Sequence, residues 1–363
     1  MPRLIKVLVV DDSALVRKIL SDIFTEEPGI KVVAAVSNPL QAVKKIKDEE
    51  PDVITLDLQM PKMDGLTFLQ KIMNVHPLPV IVISSLTQKG SRETIKALEL
   101  GALDFVAKPE VGIRSGLEEL KADIVKKVKG AAGVNLGVLK KTNRKKRLRT
   151  VTDVSTRSTA IKSKEVSRRI KLIAIGASTG GTVAVRQILK SLPAKIPGIV
   201  IVLHMPPLFT ASFAENLDKS CRPRVKEAED GEKFVNNTVY IAEGDKHLVL
   251  EQGVSDYFFQ TDRGPKINHV RPSIDKTFSS IAEVVAPNCI GIILTGMGSD
   301  GVEGLGELQA RGALTVAQDR DSSVVFGMPG KAVEEGVVNK ILSLKEISKF
   351  LLGVVTDNEE YNM

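Results

Sequence analysis

Hydrophobic residues along this chain fall in short runs separated by segments of helical spacing. Ile5–Val10, Lys31–Val36, Val53–Asp57, Val80–Ser84 and Asp104–Ala107 read as strands. Between and after them, Ser13–Glu27, Pro39–Glu49, Gly65–Val75, Ser91–Leu100 and Leu117–Lys129 repeat apolar positions at three- and four-residue intervals, as amphipathic helices do. Five strands alternating with five helices predict a doubly wound, five-stranded parallel sheet over residues 1–129. The rhythm stops over residues 130–168, where Lys, Arg, Ser and Thr displace bulky apolar residues, and this stretch reads as a basic polar linker.

A second α/β pattern occupies residues 169–354. Its expected strands are Lys171–Ile175, Gly198–Leu203, Thr238–Ile241, Leu248–Glu251, Cys289–Leu294 and Ala313–Ala317. Its helices are Thr182–Leu192, Leu208–Lys219, Ser273–Val285, Asp300–Arg311 and Gly330–Glu335. The sheet is expected to be mainly parallel, with short antiparallel strands inserted around Tyr240 to Asp262. Residues 355–363 form an acidic tail.

Composition narrows the class. A hydrophobic content of 43% and a charged content of 26% suit a soluble globular protein. No apolar run is long enough to span a bilayer, no signal-peptide pattern opens the chain, and Cys221 and Cys289 lack metal-type spacing. A cytoplasmic protein without membrane insertion is the expectation. The net charge of +7 is concentrated between Lys140 and Arg149, a segment with no aromatic residues and no nucleic-acid reading motif. No nucleic-acid partner is expected, and a monomer suffices.

Two sets of polar residues fall at predicted strand ends. In the first half, Asp11 and Asp12 follow the first strand, Asp57 ends the third, Ser84 ends the fourth and Lys108 follows the fifth. A parallel sheet gathers such residues at its carboxyl edge. Three crowded carboxylates call for a hard divalent cation, Mg²⁺, and the set suits a phosphoryl group on Asp57. Asp12 or Ser13 could instead serve as a helix cap. Lys108-Pro109 is expected to be cis.

In the second half, Gly176-Ala-Ser178-Thr-Gly180 sits on a predicted strand-to-helix turn, the form of a nucleophile elbow and also of a phosphate-cradling loop. Imidazole is the usual base for serine at neutral pH. Among the histidines, His76 and His247 read as loop and turn residues. His204 is favoured over His269 because it ends a strand, which places it on the same sheet edge as Ser178. Asp300, in another Gly-rich turn after a strand, fits the orienting acid, or equally the N-cap of the next helix. Met297 offers a backbone N–H to an oxyanion. The order Ser178, His204, Asp300 differs from that of ordinary α/β-hydrolases.

Val10-Asp11-Asp12-Ser13, Leu56-Asp57-Leu58-Gln59-Met60-Pro61-Lys62-Met63-Asp64-Gly65 and Ala107-Lys108-Pro109 resemble a response-regulator receiver domain. That resemblance implies phosphorylation of Asp57 and Mg²⁺ held by Asp12, Asp57 and the Gln59 carbonyl, with Asp11 acting partly through water. It also makes Ser84 and Phe105 a switch pair.

The segments around Ser178, His204-Met205-Pro206, Leu294-Thr-Gly-Met297-Gly-Ser-Asp300-Gly301 and Val325-Phe326-Gly327-Met328-Pro329 resemble the CheB family of chemotaxis methylesterases. The resemblance implies Ser178 as nucleophile, His204 as base, Asp300 as orienting acid, and Thr179 and Met297 at the oxyanion site. It implies methylated chemotaxis receptors as substrate, a chemotaxis histidine kinase as phosphodonor, and glutamine deamidation as a second activity. No cofactor is needed for ester hydrolysis. The receiver is expected to cover the Ser178 site until it is phosphorylated. A response regulator whose second domain only binds a partner is the alternative.

Overall fold

The computed structural model describes residues 4–60, 64–109, 112–134 and 170–356, which fall in two compact units. Pro61, Lys62 and Met63 of the receiver motif, the basic cluster from Lys140 to Arg149 and the tail beyond Thr356 lie outside the described residues.

In the first unit, β1 (Ile5–Val10), β2 (Ile30–Val36), β3 (Val53–Asp57), β4 (Val80–Ser85) and β5 (Asp104–Lys108) form a parallel sheet in the order β2-β1-β3-β4-β5. Val7 to Val10 and Val80 to Ile83 are almost completely buried, as central strands covered on both faces require. Each such side chain contributes about 1.5–3 kcal/mol by leaving water. The helices are α1 (Ala14–Thr25), α2 (Pro39–Glu49), α3 (Gly65–Val75), α4 (Gln88–Leu100), α5 (Ile113–Glu119) and α6 (Lys121–Ala132).

The single last helix expected over Leu117–Lys129 is two. Leu120, at ψ 1°, departs from helical geometry and separates α5 from α6. Ser13 caps α1 by accepting the Val16 N–H at 3.4 Å, so Asp12 is not needed as a cap and stands exposed at the sheet edge.

The second unit is built on seven strands, all paired in parallel: β6 (Leu172–Ala177), β7 (Gly198–Leu203), β8 (Arg224–Glu227), β9 (Thr238–Ile241), β12 (Cys289–Ile293), β13 (Leu314–Gln318) and β14 (Lys340–Leu342). Their order is β14-β13-β12-β6-β7-β9-β8. Helices α7 (Gly181–Leu189), α8 (Phe209–Asp218), α9 (Ile274–Val284), α10 (Val302–Ala310), α11 (Met328–Glu334) and α12 (Leu344–Thr356) complete it. None of the described helices is long and apolar enough to cross a membrane.

The antiparallel pair is not inserted in the main sheet. β10 (His247–Gln252) and β11 (Tyr257–Asp262) form their own two-stranded ribbon, anchored where Phe259 meets the buried Tyr240 at 4.7 Å between ring centroids. The edge strands β8 and β14 escape the periodicity because they are four and three residues long and carry charge. Short charged edges are also how a sheet avoids pairing with other chains.

β6 lies between β7 and β12: the chain runs from β6 to β7 on one side and returns through β12 on the other. The carboxyl ends of these three neighbours bound the crevice where open α/β sheets take their ligands.

Candidate active site

Ser178 follows β6 in a tight turn. The Ser178 carbonyl accepts the Gly181 N–H at 2.7 Å, and Gly180 sits at φ 78°. A positive φ at the third position is what this turn demands, and only glycine adopts it without strain. The half-buried serine is tied to the neighbouring strand end by its own N–H, which donates to the Thr295 carbonyl at 3.0 Å. Thr295 Oγ1 then donates to the Thr179 carbonyl at 3.0 Å and accepts the Val325 N–H at 2.9 Å. One buried threonine thus joins three loops around the serine.

β7 ends in a γ-turn centred on His204, in which the Met205 N–H returns to the Leu203 carbonyl at 2.8 Å. This turns the imidazole out of the sheet. Its Nε2 lies 2.8 Å from Asp300 Oδ2 and donates to it, which leaves Nδ1 as the nitrogen with a free lone pair. Among the described residues no hydrogen bond joins Ser178 to His204; such contacts commonly tighten only with substrate bound.

Asp300 is 3% exposed and densely held. Its Oδ2 also accepts the Ile274 N–H at 2.6 Å, and its Oδ1 accepts the Ser273 hydroxyl at 2.7 Å. Burial pushes this carboxyl up, but His204 and the Ile274 and Ser273 donors outweigh it and hold it at about 2. The N-cap of α10 is Gly301, so Asp300 faces His204 instead of capping that helix.

Ile274 reaches Asp300 because two glycines make room. A Cβ on Gly176 would stand 2.5 Å from Ile274 Cγ2, and one on Gly301 would stand 2.6 Å from the same atom.

The Gly296–Gly298 loop that carries Met297 is pinned by Gly327 and Met328, whose N–H groups both donate to the Gly296 carbonyl at 3.1 and 2.9 Å. Met297 is half-buried there and Thr179 is buried. His269 is exposed at φ 65° in the turn after β11, and His76 lies at the C-terminus of α3.

His247 is fully buried and structural. Its Nε2 donates to the Pro265 carbonyl at 3.0 Å and its Nδ1 accepts the Ser273 N–H at 3.1 Å, with burial pushing its pKa down. Ser273, Asn268 and Asp275 were not legible as parts of this site. Their sequence signal is the run Asn268-His269-Val270-Arg271-Pro272-Ser273, in which only the histidine has an evident chemistry.

At the carboxyl edge of the receiver sheet, Asp11, Asp12 and Asp57 each offer an oxygen, all within 4.8 Å of one another. Lys108 Nζ stands 2.8 Å from both Asp11 Oδ2 and Asp57 Oδ2. Burial pushes both carboxyls up, more than Lys108 draws them down. For Lys108 burial opposes the charge, but Asp57 and Asp11 outweigh it and raise its pKa. Hard, closely set oxygen donors of this kind fit Mg²⁺.

Gln59 N–H donates to Asp57 Oδ1 at 3.1 Å. The Ser84 hydroxyl donates to the Gly90 carbonyl at 3.2 Å. Phe105 is buried with its ring 5.5 Å from Lys127 Nζ. The Lys108–Pro109 bond is not cis. The cis bonds among the described residues are Arg271–Pro272 and Ala286–Pro287, and β5 itself delivers Lys108 to the acids.

These two edges define the class: a response-regulator receiver on the same chain as an α/β hydrolase. The response regulator receiver domain family matches residues 7–118, and the CheB methylesterase family matches residues 173–351. The chain is 45% identical over 352 residues to the protein-glutamate methylesterase/protein-glutamine glutaminase of Salmonella typhimurium, covering 97% of each. It is 46% identical over 355 residues to that of Yersinia pestis, covering 98% of each. The crystal structure of the Thermotoga maritima CheB methylesterase catalytic domain covers 51% of this chain and 99% of its own, with 43% identity and a TM-score of 0.50. The chain belongs to the CheB family of methylesterases.

Proposed function

We propose that this protein hydrolyses glutamate methyl esters on chemotaxis receptors, with Ser178, His204 and Asp300 as nucleophile, base and orienting acid. The observation that supports this most is the 2.8 Å bond from His204 Nε2 to Asp300, one strand from Ser178. It commits the other ring nitrogen, Nδ1, to proton transfer.

Ser178 Oγ attacks the ester carbonyl carbon as its proton passes to His204 Nδ1. The imidazolium is stabilised by Asp300, which stays ionised. Backbone N–H groups at Thr179 and Met297 receive the oxyanion. The tetrahedral intermediate expels methanol, protonated by His204, and leaves an acyl-serine. Water, deprotonated by His204, then attacks the acyl carbon and frees the glutamate and Ser178. A glutamine side chain presents the same carbonyl with ammonia as leaving group, so deamidation belongs to the same site.

The receiver takes its phosphoryl group on Asp57 from a chemotaxis histidine kinase in the cytoplasm. When bound, Mg²⁺ neutralises the charge that phosphoryl transfer develops. Asp12, Asp57 and the Gln59 carbonyl would hold it, with Asp11 acting partly through water. Lys108 pairs with the phosphoryl oxygens. Ser84 turns from the Gly90 carbonyl to the phosphoryl group, and Phe105 follows as its switch partner. Phosphorylation raises esterase output only through a difference in affinity between two arrangements of the chain.

The test is methanol release from methylated receptor membranes, with and without a small phosphodonor and Mg²⁺. Wild type is expected to release methanol faster with phosphodonor, and Ser178→Ala to release none. Equal release by Ser178→Ala would remove the serine mechanism. Unchanged release after deletion of residues 1–129, without phosphodonor, would remove inhibition by the receiver.

A further inference from the structure

Asp300 has a buried carboxylate neighbour that the proton-transfer scheme leaves unused. Asp275, the second residue of α9, is 6% exposed, and no Lys or Arg pairs with it among the described residues. Its Oδ1 accepts the Gly304 N–H at 2.9 Å, from the first turn of α10. Its Oδ2 accepts Asn268 Nδ2 at 2.9 Å, and the same nitrogen lies 3.3 Å from Asp300 Oδ1. A side-chain amide nitrogen carries two hydrogens, so Asn268 gives one to each carboxylate.

The backbone aims Asn268 there. Ile267 and Val270 exchange backbone hydrogen bonds of 3.2 and 2.9 Å, and the two residues between them, Asn268 and His269, have φ of 51° and 65°. Two positive φ values in a two-residue loop define a type I′ turn, which favours Asn at its first central position.

We propose that Asn268 and Asp275 are positioning residues for the esterase reaction: Asn268 fixes the Asp300 carboxylate against His204, and Asp275 anchors Asn268 while placing a second negative charge behind the acid. This rests on the role given to Asp300 above. The second charge supports His204 as it becomes imidazolium. Burial, then the charge of Asp300, push Asp275 up to about 6, so the second charge is present at neutral pH and is lost below that value.

Asp300 is the ionisable group in direct reach. Glu303 on α10 is exposed, Lys276 pairs with Asp262, Arg271 pairs with Asp245, His247 is held by Pro265 and Ser273, and His269 is exposed.

The experiment is an imidazole ¹³C NMR titration of His204 in the full chain, assigned by loss of its signal in His204→Gln. Asp275→Asn is expected to lower the His204 midpoint by roughly half to one pH unit, since a nearby negative charge is gone. Asn268→Gly keeps the positive φ but removes the amide that holds Asp300 against His204 and favours the charged form of both carboxylates, and is expected to move the midpoint down as well. The acid limb of kcat/KM for methyl ester should follow each shift, with kcat down about tenfold and KM held in Asn268→Gly.

An unmoved midpoint in an Asp275→Asn chain that melts like wild type overturns the proposal. If that variant does not fold, Asn268→Gly decides: a wild-type midpoint and kcat overturn it. Should the midpoints shift in a chain that hydrolyses no methyl ester, the network stands and the esterase reading falls.

Discussion

Gly176 and Ile274 are in van der Waals contact because glycine has no side chain: a Cβ at residue 176 would stand 2.5 Å from Ile274 Cγ2. That contact sets the first turn of α9 against the end of β6. It thereby brings the Ile274 N–H within 2.6 Å of Asp300 Oδ2. A single missing methyl group connects the strand that leads into Ser178 to Asp300.

Gly176→Ala therefore forces Ile274 away from Asp300. The expected cost is about 1–3 kcal/mol of stability from overpacking. We expect kcat to fall about tenfold with little change in KM, because the acid is displaced while the substrate-binding surface remains. Thermal melting and initial rates of methanol release would check both.

Thr295→Val keeps the size of the side chain but removes the hydroxyl that bonds the Thr179 carbonyl and the Val325 N–H. Losing these two hydrogen bonds should cost about 1–3 kcal/mol. The serine turn loosens with it, so a several-fold drop in hydrolysis is expected. Urea denaturation of the two proteins, read beside their rates, tests the link.

The pH dependence of Asp300 has a definite sign. Its pKa is depressed to about 2, so it contributes stability above the ordinary carboxylate range and loses it as pH falls through about 2. Asp300→Asn should be less stable than wild type at pH 6 by about 2 kcal/mol, with the gap closing as pH falls toward 2. Denaturation midpoints of the two proteins at several pH values measure this. Asp300→Asn should also abolish most turnover, since an amide presents the wrong partner to imidazole.

Removing divalent metal separates the two halves of the chain chemically. The cluster of Asp11, Asp12 and Asp57 fits Mg²⁺, whereas nothing in the Ser178 reaction calls for a metal. Chelation with EDTA is expected to leave basal ester hydrolysis unchanged and to eliminate stimulation by phosphodonor. Asp57→Asn should behave the same way with Mg²⁺ present. Loss of basal hydrolysis on chelation would contradict the assignment.

Much of this was written in the sequence. Runs such as Val7–Val10 and Ile173–Ile175 are apolar without alternation, as strands covered on both faces are, and their alternation with helices points to a parallel sheet. A parallel sheet brings its strand ends to one edge, so Ser178, His204, Asp57 and Lys108 could be placed from their positions in the chain. Local chemistry was enough for these residues because strand direction alone determines where they emerge.

What the sequence left open depends on contacts between segments far apart in the chain. Asp300 faces a histidine instead of capping a helix because packing sets the end of β7 beside the loop after β12. That His247 holds Ser273, and that Asn268 bridges Asp275 and Asp300, depends on a type I′ turn meeting the ends of two helices. Edge strands β8 and β14 carry too few residues for any period to show. Hydrophobic periodicity reports which face of an element is buried, but hydrogen-bond partners are chosen by the geometry of packing, and packing exists only in the folded chain.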